Sequence, residues 1–192
     1  MSVDKQQIAE FTEFLIKELK LDFPYLPEKV VEILGGGKII YDENENGIDG
    51  YIKKIDNKSF EIHLNEKFKG KTRERFTIAH ELGHLFLHMG YLTDKEKWEN
   101  IPYDNSIISF TDKSIYADSA FYRKDDNYSN EENEANEFAA CFLMPEDKFR
   151  NIAKENYSNK TKTYKIEPIA EYFKVSLHAT SNRGKWLGLF AW

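Results

Sequence analysis

Apolar positions along the chain change period from segment to segment. In "DKQQIAEFTEFLIKELKL", Ile8, Phe11, Leu15 and Leu19 recur at helical spacing, with Phe14 and Ile16 widening the stripe, and this predicts an amphipathic helix. "LPEKVVEILGGG" reads as a shorter helix, because Pro27 suits a first helical turn and three glycines stop the element after Leu34. The period then shortens. "KIIYDENENGIDGYIKKIDNKSFEIHLNEKF" carries β-branched and aromatic residues broken by "NENG", "DG" and "DNKS", which predicts two or three short antiparallel strands. Residues 91–130 are polar and aromatic, with strands expected at Ile107–Phe110 and Ser114–Arg123 and a charged loop at "KDDNYSNEEN". No internal repeat or clear linker divides the chain.

Between these regions lies "RFTIAHELGHLFLH", a helix that is apolar nearly all round and therefore expected to be buried. It nevertheless carries His80, Glu81, His84 and His88. Burying such groups without partners costs several kcal/mol, roughly 2–7 per polar group and more for a charge, so partners are implied. At 100° per residue, His80 and His84 project 40° apart on one face, where two imidazoles can meet one ion. Two histidines at this spacing supply two corners of a zinc tetrahedron without distorting a helix. Glu81, beside the first histidine, is placed to take a proton from water acidified by the metal and return it to a leaving amine, as in the HExxH pattern of zinc peptidases. Gly83 in mid-helix loses about 1 kcal/mol against alanine, which implies that something approaches its backbone closely. His88 falls roughly 9 Å from the midpoint of the pair and reads as a packed or supporting histidine rather than a ligand.

A third ligand is needed, and "SNEENEANEFAACFLMP" supplies glutamates ahead of a buried helical face formed by Phe138, Ala139, Phe142 and Leu143. Glu132 is the candidate, since it shares its face with Asn136 four residues on. Spacing alone allows an equal alternative, a capping box in which Ser129 caps the helix and Glu132 reaches back to it. Glu131, Glu134 and Glu137 read as solvated acids favoured by the helix dipole.

Composition narrows the class. A chain of 192 residues with 41% hydrophobic residues supports one main core. The net charge of −6 argues against a surface built to neutralise phosphates. The one cysteine, Cys141, forms no internal disulfide, the first residues lack a secretory pattern, and no apolar run reaches membrane-spanning length. A cytoplasmic protein without membrane contact is expected.

"RFTIAHELGHLFLH" followed some fifty residues later by "ENEANEFAACFLMP" resembles the ImmA/IrrE family of metallo-endopeptidases, over roughly residues 26–192. The resemblance implies that His80, His84 and Glu132 bind Zn²⁺ and that Glu81 is the catalytic base, which favours the ligand role of Glu132 over the cap. It also implies a substrate class, helix-turn-helix transcriptional repressors whose cleavage relieves repression. The family often ends in a helix-turn-helix-like segment, matched here by "IEPIAEYFKVSLHATSNRGKWLGLF", in which Ile169, Ala170 and Phe173 form one apolar face, Ser176 caps the next helix, and Ala179, Trp186 and Leu187 face back. His178, Arg183 and Lys185 are the basic groups of its second helix, too few for direct DNA binding, so packing or substrate docking is expected.

The resulting expectation is an α+β, zincin-like helical domain with a small antiparallel β-sheet: an N-terminal helix (1–24), a metallopeptidase core (25–150) and a C-terminal helical segment packed on it (151–192). A peptide substrate is expected along an edge strand, with Tyr116, Tyr122 and His178 as candidates for stabilising the oxyanion. The alternatives are a zinc-binding regulator that occludes a repressor or toxin partner without cutting it, and a DNA-binding regulator using residues 166–187.

Overall fold

The computed structural model describes residues 4–43, 49–103, 107–108 and 128–191. Helix α1 (Lys5–Glu18) opens where Asp4 accepts a hydrogen bond from the Gln6 backbone N–H. Ile8 and Leu15 are buried as the stripe predicts, but Phe14 is 58% exposed and Thr12 takes the core position, its hydroxyl donating to the Ile8 carbonyl at 2.6 Å. Helical angles explain this: Thr12 lies about 40° round from Ile8, whereas Phe14 lies about 120° away.

Helix α2 (Pro27–Leu34) ends at Gly35, which takes a left-handed conformation at φ 70°. The next two glycines have a different task. A Cβ on Gly36 would lie 1.9 Å from the Lys58 carbonyl oxygen, and one on Gly37 would lie 2.5 Å from the Phe60 ring, so the chain can hug its neighbour there only without side chains. That neighbour is a strand of the main sheet, whose order is β1 (Gly37–Asp42), β3 (Phe60–Asn65), β2 (Gly50–Lys54), β4 (Ile107–Ile108).

The sheet is mixed, not antiparallel as expected. β2 and β3 form the hairpin that "DNKS" predicts, pairing Ile52 with Ile62, but β1 runs parallel to β3, pairing Ile39 with Ile62. The tight hairpin claims one edge of β3; β1 enters on the other edge through the Gly36–Gly37 contact, so its direction follows from how the glycines seat it. The "NENG" turn, the end of the strand expected at Ile107–Phe110 and the strand expected at Ser114–Arg123 lie outside the described residues.

Ile52, Phe60, Ile62 and Leu64 present one buried face, and α3 (Thr72–Gly83) packs against β2 and β3. Beyond Gly83 the helix continues as one π turn (His84–His88), closed by the Met89 N–H on the His84 carbonyl at 2.9 Å. In α4 (Lys95–Asn100) the last carbonyls meet an unusual partner: the Lys54 side chain is fully buried, and its ammonium donates to the carbonyls of Trp98 (2.6 Å) and Ile101 (3.0 Å). A cation at a helix C-terminus complements the dipole.

Helix α5 (Tyr128–Leu143) begins inside the stretch expected as a charged loop, and α6 (Glu146–Glu155) follows Pro145. A two-stranded ribbon, β5 (Tyr157–Ser158) and β6 (Thr163–Tyr164), precedes α7 (Ile166–Phe173) and α8 (Leu177–Trp186). Ile169, Ala170 and Phe173 are buried, and the Ser176 hydroxyl accepts from the Ala179 N–H at 3.1 Å, both as predicted. Trp186, expected to face back, is 51% exposed. Gly184 admits the Phe190 ring, which a Cβ would strike at 2.1 Å. One buried apolar cluster runs from Ile8 on α1 to Val175 after α7. Among the described residues, no helix is long and apolar enough to cross a membrane.

Candidate metal centre

From Thr77 to Gly83 every residue of α3 is buried, so His80 and Glu81 enter the interior because the helix that carries them does. Helix α5 crosses at Gly83. A Cβ there would lie 3.0 Å from the Ala135 Cα, 3.2 Å from the Ala135 carbonyl oxygen and 3.2 Å from the Phe138 Cβ, so the bare backbone of Gly83 is what lets α5 lie this close. The close approach predicted from Gly83 is therefore the contact that delivers the second half of the cluster.

At the crossing, Glu132 meets the two histidines. Its Oε2 lies 3.3 Å from His80 Nε2 and its Oε1 3.4 Å from His84 Nε2, while the two Nε2 atoms are 3.0 Å apart. These three residues, all buried, can each offer one ligand atom, and those atoms lie within 4.8 Å of one another. The capping-box alternative does not match this arrangement: α5 starts at Tyr128, which puts Ser129 inside the first turn, and the Glu132 carboxylate sits at the histidines. The Ser129 side chain lies outside the described residues.

The far nitrogens of both imidazoles are also engaged. His80 Nδ1 is 3.0 Å from Asn136 Oδ1, and His84 Nδ1 is 2.8 Å from His88 Nδ1. His88 in turn reaches Glu134 Oε2 through its Nε2 at 3.0 Å. Glu134 is thus a buried partner and not the solvated acid expected. Glu137 is another correction, since it takes Arg183 at 3.1 Å and Lys5 at 3.3 Å. Arg183, counted among the basic groups that DNA would need, is buried, and its Nε also donates to the Met144 carbonyl at 3.1 Å. His88, four residues on, falls on the same face as His84, as His84 does relative to His80.

Electrostatics suit a cation. Burial pushes the pKa of His84 well below its ordinary value, which keeps the imidazole neutral. Burial pushes the Glu132 carboxyl upward, but in the absence of a metal, hydrogen bonds and charge from His80 and His84 outweigh it and bring the carboxyl down to about 2, so it stays a carboxylate. Once the imidazole protons sit on the Nδ1 side, towards Asn136 and His88, two nitrogen lone pairs and a carboxylate converge with no proton among them. Glu132 Oε1 is buried and faces His84 Nε2 at 3.4 Å. A tetrahedral ion bound at about 2.0–2.1 Å would hold two nitrogens about 3.3 Å apart, close to the 3.0 Å seen between the Nε2 atoms. The residues present fit a divalent metal.

Glu81 is 1% exposed and adjoins His80 in the chain. A groove of about 390 Å³ runs along the Asn136 side of the cluster between α3, α5 and α8, with Phe76, Met144 and His178 in its lining. Of the oxyanion candidates, His178 is therefore in this groove, and Tyr116 and Tyr122 lie outside the described residues.

Residues 43–106 and 107–185 match the model of the Peptidase M78 family, described as an IrrE N-terminal-like domain. No curated protein matches the chain.

Proposed function

The chain belongs to the Peptidase M78 family, whose members are metallopeptidases, and from that premise we propose a zinc-dependent endopeptidase with a zincin-like core. The observation that carries the reading is the convergence of His80 Nε2, His84 Nε2 and the Glu132 carboxylate, with Glu81 on the same buried helix. His80, His84 and Glu132 would hold the metal. When bound, zinc supplies a Lewis acid that acidifies water and polarises the scissile carbonyl.

The chain's own residues do the rest. Two neutral imidazoles and one carboxylate leave a fourth position open for reactants. Glu81 takes the proton from the attacking water and passes it to the departing amine. The buried setting strengthens each of these interactions. His178 in the neighbouring groove is the described candidate for a donor to the developing oxyanion.

The proposed substrate is a helix-turn-helix transcriptional repressor, which the family resemblance supports. Helices α7 and α8 then serve packing or substrate docking: Arg183 is committed to Glu137 and Met144, which takes it from any DNA-reading role. The test is cleavage of the repressor encoded nearest to this chain, with and without chelator, by wild type and by Glu81→Gln. Cleavage by the wild type alone, abolished by chelator, is the expected result. Relief of repression by Glu81→Gln as effective as by wild type would replace the peptidase with an occluding binder.

A further inference from the structure

Beside the candidate ligands lies a chain of polar contacts to which ligation assigns nothing: His84 Nδ1 to His88 Nδ1 at 2.8 Å, then His88 Nε2 to Glu134 Oε2 at 3.0 Å. The side chains of His88 and Glu134 are 7% and 10% exposed, so this path is largely shielded from water. Its direction can be worked out from hydrogen-bond chemistry. A carboxylate accepts and does not donate, so His88 must carry its proton on Nε2, facing Glu134. A neutral His88 then has a lone pair on Nδ1. Among the described residues the group facing that lone pair is His84 Nδ1, which donates to it when protonated, and a neutral His84 so protonated has its own lone pair on Nε2, the atom 3.4 Å from Glu132 and 3.0 Å from His80 Nε2.

We propose that Glu134 and His88 are positioning residues that fix the tautomer and ring orientation of His84, so that its Nε2 lone pair is presented to the metal. Unconstrained neutral imidazole favours the opposite tautomer, with the proton on Nε2, which would block ligation. The relay reverses that preference without introducing a charge at the ligand. The i, i+4 spacing keeps the His88 ring within 4.8 Å of the His84 ring, on a turn where the backbone N–H of Met89 closes on the His84 carbonyl. Asn136 does the same for His80 in one step, with its carboxamide oxygen facing Nδ1 at 3.0 Å. Glu132, Glu134 and Asn136 thus work from one helix: the first as ligand, the other two as the acceptors that orient the partners on α3.

This inference rests on the metal reading proposed above, and the experiment separates the two. Zinc affinity is measured by competition with a chromophoric chelator for His84→Ala, His88→Phe, Glu134→Leu and Glu134→Gln, and imidazole ¹⁵N spectra of the metal-free proteins report the proton position on His84. Phenylalanine fills the space of His88, and glutamine keeps an acceptor oxygen for His88 Nε2–H, so folding and relay are probed apart. His88→Phe and Glu134→Leu should weaken zinc about 10–100-fold and lose the Nδ1–H signature of His84, while Glu134→Gln stays within a few-fold of wild type. If His84→Ala abolishes binding but His88→Phe and Glu134→Leu bind zinc as wild type does, the positioning role fails and the metal site stands. If His84→Ala itself leaves zinc affinity unchanged, the metal reading fails, and this inference with it.

Discussion

Substituting Gly83 by alanine sets two effects of known size against each other. Away from any neighbour, the change should stabilise a helix by about 1 kcal/mol. Here the new Cβ would sit 3.0 Å from the Ala135 Cα and 3.2 Å from its carbonyl oxygen, against comfortable contacts of about 3.5–4.0 Å. Both atoms are backbone, so no rotamer change relieves them and α5 must retreat by roughly half an ångström. Overpacking of this kind costs about 1–3 kcal/mol, for a net loss of roughly 0–2 kcal/mol, or up to about 8 °C in melting temperature for a chain of this size. The metal cluster should suffer more than the fold. Glu132 rides on α5, ligand distances tolerate only about 0.2 Å, and a shift more than twice that should weaken metal binding tenfold or more. Thermal melts of the metal-free protein, paired with chelator competition, measure the two effects separately. An alanine variant that melts several degrees higher and holds zinc as wild type does would show that the close crossing of α3 and α5 does not exist.

Metal analysis of purified protein should return about one zinc per chain, lost in Glu132→Ala and retained in Glu131→Ala, since Glu131 is on the exposed side of α5. Retention by Glu132→Ala would disprove the ligand set. Lys54→Met keeps the apolar stem but leaves the final carbonyls of α4 without their donor, and a loss of about 1–3 kcal/mol in urea unfolding is expected; an unchanged midpoint would contradict the capping role. Burial pushes the Cys141 thiol up to about 11, so the native protein should resist thiol reagents at pH 8 and react fully in denaturant. The same shift has a signed effect on stability: between about pH 9 and 11 the unfolded chain releases this proton and the native chain retains it, so stability falls across that window, by less in Cys141→Ala.

Where a pattern is local, it could be read from the chain. The pairing of His80 with His84 follows from helical angle alone, and the burial of their helix follows from its apolar composition; the start of α2 at Pro27 and its end at Gly35 are equally local. Gly83 announced a close neighbour without naming it. Long-range relations were less legible. Glutamates near a helix start look solvated when read singly, and nothing near Glu134 in the chain reveals that its partner His88 lies 46 residues earlier. Arg183 looks like a surface cation until the fold supplies Glu137 and the Met144 carbonyl. The place of β1 depends on which edge of β3 the hairpin leaves vacant, and its direction on how Gly36 and Gly37 seat it there, properties of the assembled sheet. The π turn leaves no mark in hydrophobic spacing, because one extra residue per turn over five residues is too short to establish a period.

Arg183 also gives the protein a sense of time. It anchors the last turn of α5 through the Met144 carbonyl, 39 residues earlier in the chain. At ribosomal rates of about 5–20 residues per second, that anchor arrives roughly 2–8 seconds after the helix it secures. During that interval the nascent chain already contains both histidines and Glu132, yet the helix that carries Glu132 has its apolar contacts to earlier elements without the Arg183 bond at its end. A product that ends before residue 183 therefore has the whole metal-binding motif and the α3–α5 crossing but lacks the Arg183 contacts to Glu137 and the Met144 carbonyl.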